Sequence, residues 1–337
     1  MSFSKDKRNT IKKYILEKIS RNALDDIDGI AETFSTTRQT VYRYIREMKS
    51  EGLMYESEDG YHIKSERHSF KFFTKDIENE DRIYVEYVSP LIQDLPANVY
   101  RIWQYSFSEM LNNAIEHSSS AEVEFSVYRD AINTGIVIYD NGVGIFQHIA
   151  DYFNYNNLDD AITELFKGKL TTDKEHHSGE GIFFSSRAMD EFAAISSGKI
   201  FSHNEFKDII ASTKELNVNI DEKCGTYIYM RLYNHSNKVL ADIMNEYADV
   251  DGGFTKTRIP IKNIFPDFPV SRSQAKRLTN RFDSFHEVEL DFEGIDEIGQ
   301  GFAHEIFSVY TRTHPEVQII PFNTSLQVQR MIYHVTH

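Results

Sequence analysis

Glu109 and Asn113 stand four residues apart in Phe107-Ser108-Glu109-Met110-Leu111-Asn112-Asn113-Ala114-Ile115-Glu116-His117. The apolar spacing there is helical, so both side chains leave one face. A carboxylate in that place can orient or deprotonate a water. An amide carbonyl one turn later can ligate Mg2+, which takes hard oxygen donors and keeps several waters. The same pair also suits a solvated helix face. Asp140 follows the apolar run Gly135-Ile136-Val137-Ile138-Tyr139 and opens Asp140-Asn141-Gly142-Val143-Gly144-Ile145. A buried aspartate at a strand end suits the exocyclic amine of adenine, and Gly142 and Gly144 let backbone approach a ligand closely. An ordinary strand-end turn has the same letters. Ser178-Gly179-Glu180-Gly181-Ile182-Phe183-Phe184 opens a helix expected to run through Met189. Its glycines leave bare N–H groups at the positive end of a helix dipole, which favours phosphate.

These residues need elements to hold them. The strand ending at Tyr139 places Asp140 at a pocket mouth, and the alternating run Cys224-Gly225-Thr226-Tyr227-Ile228-Tyr229-Met230 reads as a second strand beside it. The Thr226 hydroxyl there is placed to share a water with Asp140. The polar stretch 166–177, FKGKLTTDKEHH, reads as a mobile loop. Its Lys167, Lys169, Thr171, Thr172 and Lys174 either reach phosphates or meet solvent. Adjacent His176 and His177 point different ways and have no carboxylate cluster beside them, so they are expected to be solvated rather than metal ligands.

In this order and spacing, the four segments resemble the N, G1, G2 and G3 boxes of the GHKL ATPase family, over roughly residues 80–235. The resemblance implies a central Bergerat α/β sandwich that binds ATP and Mg2+. It makes Glu109 the water-activating base and Asn113 the Mg2+ ligand. Asp140 selects adenine with support from Thr226, Gly142 and Gly144 shape its pocket, and Gly179 and Gly181 flank the phosphates. From the polar loop, Lys169 and Thr171 are expected to join the nucleotide site. A glutamate at position 109 matches the hydrolysing members, whereas histidine kinases usually carry asparagine there. No helical hairpin bearing a phosphoacceptor histidine precedes residue 100, and His304-Glu305 matches such a site in two letters only. Histidine kinase activity is therefore not expected. No downstream lysine stands out to complete a γ-phosphate site, Lys256 and Lys262 being the candidates. Hydrolysis is accordingly expected to be slow, or to depend on dimerisation or a partner.

Ahead of this region, apolar residues at helical spacing mark 10–20 and 24–31. Ser35-Thr36-Thr37 then starts a helix over 38–51, and Met54–Ile63 reads as a hairpin turning at Asp59-Gly60. Three helices and a hairpin resemble the winged helix-turn-helix family. That resemblance makes residues 36–50 a recognition helix, with Thr37, Arg38, Gln39, Thr40 and Arg43 facing bases and Arg46 facing phosphates. An amphipathic three-helix unit docking on a protein partner has the same pattern, and Asp25, Asp26 and Asp28 are awkward beside DNA.

Behind it, Ser271-Arg272-Ser273 caps a helix, Glu287–Phe292 and Glu316–Pro321 read as strands, and Phe302–Thr311 and Ser325–Tyr333 as helices. This alternation implies a small α/β unit. Its LDFEGIDEIGQGFAHEIF is similar to STAS-like anti-sigma-factor antagonists. In those proteins a serine before the helix is phosphorylated by a GHKL-type kinase. Gln300 stands at that place here, so a docking or dimerising module is expected instead.

The fold class expected is thus multidomain α+β: a winged helix over 1–68, the GHKL unit over 75–240 and a STAS-like α/β domain over 263–337. The net charge of −15 is uneven. Residues 1–68 hold 13 Lys+Arg and 12 Asp+Glu, and the rest hold 24 and 40, which confines any DNA contact to the head. One cysteine excludes an internal disulfide framework. No apolar run spans the roughly 20 residues a bilayer needs, and the polar start lacks a secretory core, so a cytoplasmic protein without membrane contact is expected. The function expected is an ATP-binding, slowly hydrolysing regulator whose nucleotide state controls DNA binding by the head. A homodimer and a protein partner of the C-terminal domain are further possibilities. The alternative is a GHKL ATPase or serine kinase acting on a protein partner in an anti-sigma-factor-like switch.

Overall fold

The computed structural model describes residues 3–20, 24, 26–58, 60–170, 180–204, 225–249 and 253–337. It is a mixed α/β, multidomain chain. Three helices, α1 (Lys5–Ser20), α2 (Ile27–Thr33) and α3 (Arg38–Ser50), precede an antiparallel pair, β1 (Met54–Ser57) and β2 (Gly60–Ile63). Local chemistry sets the helix starts: Asp26 accepts from the Gly29 amide at 2.7 Å and Thr37 from the Thr40 amide at 3.3 Å. Ile11, Ile15, Val41, Tyr44, Ile45 and Met48 close a core between α1 and α3, which leaves Arg38, Gln39, Tyr42, Arg43, Arg46 and Lys49 on the outer side of α3.

The centre is a six-stranded sheet in the order β3-β4-β5-β8-β6-β7, every neighbouring pair antiparallel. Its strands are β3 (Glu66–Phe73), β4 (Glu122–Arg129), β5 (Asn133–Asp140), β6 (Glu191–Ser196), β7 (Lys199–Phe201) and β8 (Thr226–Tyr233). One face carries Val123, Phe125, Val127, Ile136, Ile138, Ile228 and Met230, all buried under the long helix α4 (Ala97–His117). That helix places Trp103, Phe107, Met110 and Leu111 against them at helical spacing, and each such side chain contributes about 1.5–3 kcal/mol. Helices α5 (Ile145–Phe153), α6 (Leu158–Lys167), α7 (Gly181–Ala188) and α8 (Leu240–Glu246) also belong to this unit, as do the short helical turns over 80–92, which bury Tyr84, Val88 and Ile92 in its core.

The expected division at residue 68 falls inside β3. Residues 66–73 pair along their whole length with β4, Ser69 Oγ lying 2.8 Å from Ser126 Oγ, so the chain leaves the hairpin directly into the sheet edge. The head also rests on the sheet. Ile132, in the β4–β5 turn, joins the head core, Lys13 sits 4.7 Å from the Tyr233 ring, and Tyr233 Oη donates to Glu17 at 3.1 Å.

The C-terminal unit has a three-stranded parallel sheet ordered β11-β10-β9, from β9 (Lys256–Pro260), β10 (Glu287–Asp291) and β11 (Gln318–Phe322). Around it lie α9 (Arg272–Thr279), α10 (Gln300–His304, continuing as a π turn over Glu305–Tyr310) and α11 (Leu326–Thr336). Helix α9 starts on a capping box in which Ser271 and Gln274 satisfy each other's amides. Strand β9 lies before the expected boundary at 263: it is short, is separated from α8 by nine residues, and is assigned to this sheet by its register with β10. Ile259, Leu278, Val288, Leu290 and Phe302 continue the apolar core of the central unit without a break. Among the described residues no helix is long and apolar enough to cross a membrane.

Candidate functional site

A cavity of about 280 Å³ opens between α4, the β5 and β8 ends, and the start of α7. Six of the candidate residues line it: Glu109, Asn113, Asp140, Gly144, Gly181 and Thr226. Helix α4 presents Glu109 and Asn113 toward it one turn apart, and His117 follows one turn beyond on the same face.

Asp140 ends β5 opposite Thr226, the first residue of β8. The Asp140 side chain is 4% exposed, and burial pushes its carboxyl up to about 6. Hydrogen bonds from the Gly142 amide, at 2.9 Å, and from Thr226 work against that rise. Thr226 Oγ1 also accepts from the Ile145 amide at 3.0 Å, which ties the strand pair to the start of α5.

Close contacts leave no room for a side chain at Gly142, and leave room for one at Gly181 only if Glu109 moves. A Cβ at Gly142 would lie 1.9 Å from the Ser118 carbonyl oxygen, because the Asp140–Gly144 turn is clamped to the end of α4 by the Val143 amide, 2.9 Å from that oxygen. Gly142 itself shapes this turn without lining the cavity. A Cβ at Gly181 would lie 2.1 Å from Glu109 Oε2, so the start of α7 and the Glu109 carboxylate share one space. The start of that helix borders the cavity, as Gly181, Ile182 and Phe183 all line it. The apolar part of the wall comes from Met110, Ile138, Ile149, Leu165 and Ile228.

Lys169 departs from its expected place. Gly168 and Leu170 line the cavity, but the Lys169 ammonium donates to the Ser284 carbonyl at 2.7 Å, 4.9 Å from the Phe285 ring centre. Its left-handed backbone, φ 52°, turns the side chain toward the C-terminal unit. Lys167 is not solvated either. It is buried, its ammonium 2.7 Å from Glu164 and 2.7 Å from the Asn280 carbonyl at the end of α9. Arg281 reaches the same Glu164 at 3.1 Å. Thr171 and Gly179, together with Thr172, Lys174, His176 and His177, lie outside the described residues. Lys256 approaches Glu287 at 4.0 Å and Lys262 donates to the Pro266 carbonyl, and neither lines the cavity.

Reading the sequence missed His117 and His148, whose rings stand 5.7 Å apart on the cavity wall, and Ser118, which holds the glycine turn. The spacing 109, 113, 117 was the available signal for His117. Among the described residues no group of three or more His, Cys, Asp or Glu side chains is disposed to hold a metal by itself.

In the head, Thr37 caps α3, and its hydroxyl lies 3.1 Å from that of Thr40. Arg38 approaches Asp28 at 3.3 Å, Arg43 approaches Glu47 at 3.7 Å, and Gln39 and Arg46 are exposed on the same helix. These side chains share one outward surface, remote from the cavity at the other end of the sheet.

A search of curated proteins finds no match to the chain. A family model of a STAS-like domain of unknown function (DUF4325) matches residues 274–329, and the C-terminal unit therefore contains a STAS-like domain.

Proposed function

We propose that the chain is a GHKL-type ATP-binding regulator with a winged-helix head, in which the cavity takes Mg-ATP and its occupancy controls how the head meets DNA. The observation that carries this reading is the convergence of Glu109, Asn113, Asp140, Gly144, Gly181 and Thr226 on one cavity. The donor set suits an adenine nucleotide. Asp140 offers a buried acceptor to an exocyclic amine, the α7 start offers amide N–H groups to phosphate, and the apolar wall accepts a purine. A divalent ion held by Asn113 with phosphate oxygens and waters would supply charge neutralisation. Glu109, against the same helix start, is placed to hold and deprotonate a water.

Coupling to the head has a physical route in this reading. Strands β5 and β8 run from Asp140 and Thr226 at the cavity to Asn133 and Tyr233 at the head, about 23 Å away. The outer side of α3, with Arg38, Gln39, Arg43 and Arg46, has the donors for bases and phosphates. Calorimetry with Mg-ATP tests the first half: no heat of association with any adenine nucleotide would end the proposal. Anisotropy of labelled DNA across salt concentrations tests the second, and identical binding with ATP, with ADP and without nucleotide would remove the coupling.

A GHKL ATPase or serine kinase acting on a separate protein is the second reading, favoured by the STAS-like domain on the same chain. Radiolabelled ATP distinguishes them, since label on a protein partner supports a kinase and label released only as phosphate supports an ATPase.

A further inference from the structure

Lys169 lies between two residues of the cavity wall, yet its side chain is engaged by the STAS-like domain. Among the described residues no carboxylate lies within ion-pair distance of its ammonium. The ammonium has one neutral carbonyl, that of Ser284, and the faces of Phe254 and Phe285 at 5.6 and 4.9 Å. Burial holds it below the ordinary lysine value, opposed by the charges of Glu180 and Asp249. Glu180 immediately precedes Gly181, so this cation sits close to the helix start that faces the cavity. A phosphate oxygen is a stronger partner for such a group than a carbonyl and two rings.

The side chain supplies the means of exchange. Gly168 has φ 83° and Lys169 has φ 52°. The left-handed region is uncommon for a residue with a Cβ, and here it aims the side chain at the STAS-like domain. Upstream, Lys167 is anchored in the STAS-like domain by the Arg277 and Asn280 carbonyls, at 3.3 and 2.7 Å. Gly168 packs closely against the Phe183 and Phe254 rings and the Lys169 carbonyl accepts from Arg281 at 2.8 Å, so the backbone is held and the exchange falls to rotation of the long Lys169 side chain.

We infer that Lys169 is shared between two partners: the terminal phosphates of a nucleotide in the cavity compete with the Ser284 carbonyl for its ammonium, so that nucleotide loosens the Phe282–Phe285 turn of the STAS-like domain. This rests on the nucleotide reading of the cavity and adds its regulation. Reciprocity follows from linkage: whatever holds the Ser284 turn in place lowers nucleotide affinity by the same factor.

The test uses the full chain, with Lys169→Met filling the space between the two rings and Lys169→Arg keeping the charge. Calorimetry should show Mg-ATP binding weakened about tenfold or more in Lys169→Met, Mg-ADP affected less, and both restored in Lys169→Arg. Hydrogen exchange should show the Ser284 and Phe285 amides, which bond to Arg281 and Phe282 at 3.2 and 2.9 Å, exchanging faster in wild type when Mg-ATP is added. In Lys169→Met the same amides should exchange fast with or without nucleotide. The inference is overturned if Mg-ATP binds wild type with no change at these amides, or if Lys169→Met binds Mg-ATP as tightly as wild type. Absence of any nucleotide binding to wild type is a different result, and it removes the nucleotide reading itself.

Discussion

Asp140→Asn should stabilise the protein at neutral pH while weakening nucleotide binding. Burial raises the Asp140 carboxyl to about 6, from 3.8 for the solvated group. Between those values the folded chain binds this proton and the unfolded chain does not, so stability falls as pH rises through that window. The contribution is fully present below pH 3.8 and gone once pH passes 6. A displacement of about two pKa units corresponds to about 3 kcal/mol lost by pH 8.

Asparagine has no charge to desolvate, and its carbonyl can keep the bond from the Gly142 amide. Of the two bonds from Thr226, that of the hydroxyl survives, because the hydroxyl can turn to accept from the new side-chain amide. The one from the backbone amide is lost, which costs about 1 kcal/mol. The net expectation is a variant more stable than wild type by about 2 kcal/mol at pH 8, the advantage shrinking and reversing toward pH 4. The chain has one tryptophan, Trp103, fully buried on α4, so its fluorescence in a urea titration reports this unit specifically. Taking the difference between variant and wild type at each pH cancels the other titrating groups. A difference that stays flat from pH 5 to pH 8 would refute the assignment of a desolvated, partly protonated carboxyl to residue 140.

Gly181→Ala puts a methyl group 2.1 Å from Glu109 Oε2 and 3.1 Å from Glu109 Cβ, so the carboxylate must move. Single-turnover phosphate release should drop by about 100-fold while Mg-ATP still binds, and normal turnover would exclude Glu109 as the base. Lys167→Met removes a cation from a buried pair, and with Arg281 still on Glu164 the loss should be about 3 kcal/mol. Adding Glu164→Gln should recover part of it in the same urea titration. Arg46→Ala should lower DNA affinity and reduce the slope of log affinity against log salt by about 1, while Arg43→Ala should relax the preference for its base; an unchanged slope in Arg46→Ala would move DNA off this side of α3.

What could be read from the sequence was local. Glu109 and Asn113 share a face because a helix repeats every 3.6 residues, and the Asp140 turn is written in its glycines. Pairing between distant segments left no such trace. Nothing in residues 191–201 or 226–233 announces that β8 enters the sheet between β5 and β6, because strand order is set by packing of the whole face. The charged residues misled in a different way. Glu164 and Lys167, three apart on a helix, have the pattern of a solvated pair, and only the arrival of Arg281 and the end of α9 buries them. The Ser284 contact of Lys169 was hidden for a related reason: spacing brings the residue to the cavity wall, but a single left-handed φ decides which way its side chain leaves.

Strand β9 carries a lesson for anyone dividing this chain. The family match begins at residue 274, yet the flank of β10 is covered by Lys256–Pro260, separated from the end of α8 by nine residues. A fragment started at Asn263 would bare the backbone amides and carbonyls of Glu287–Asp291 along that flank, inviting a foreign strand to add there. The C-terminal domain is therefore grafted into its neighbour rather than strung behind it, and a transplant to another protein would have to carry residues 256–262 along.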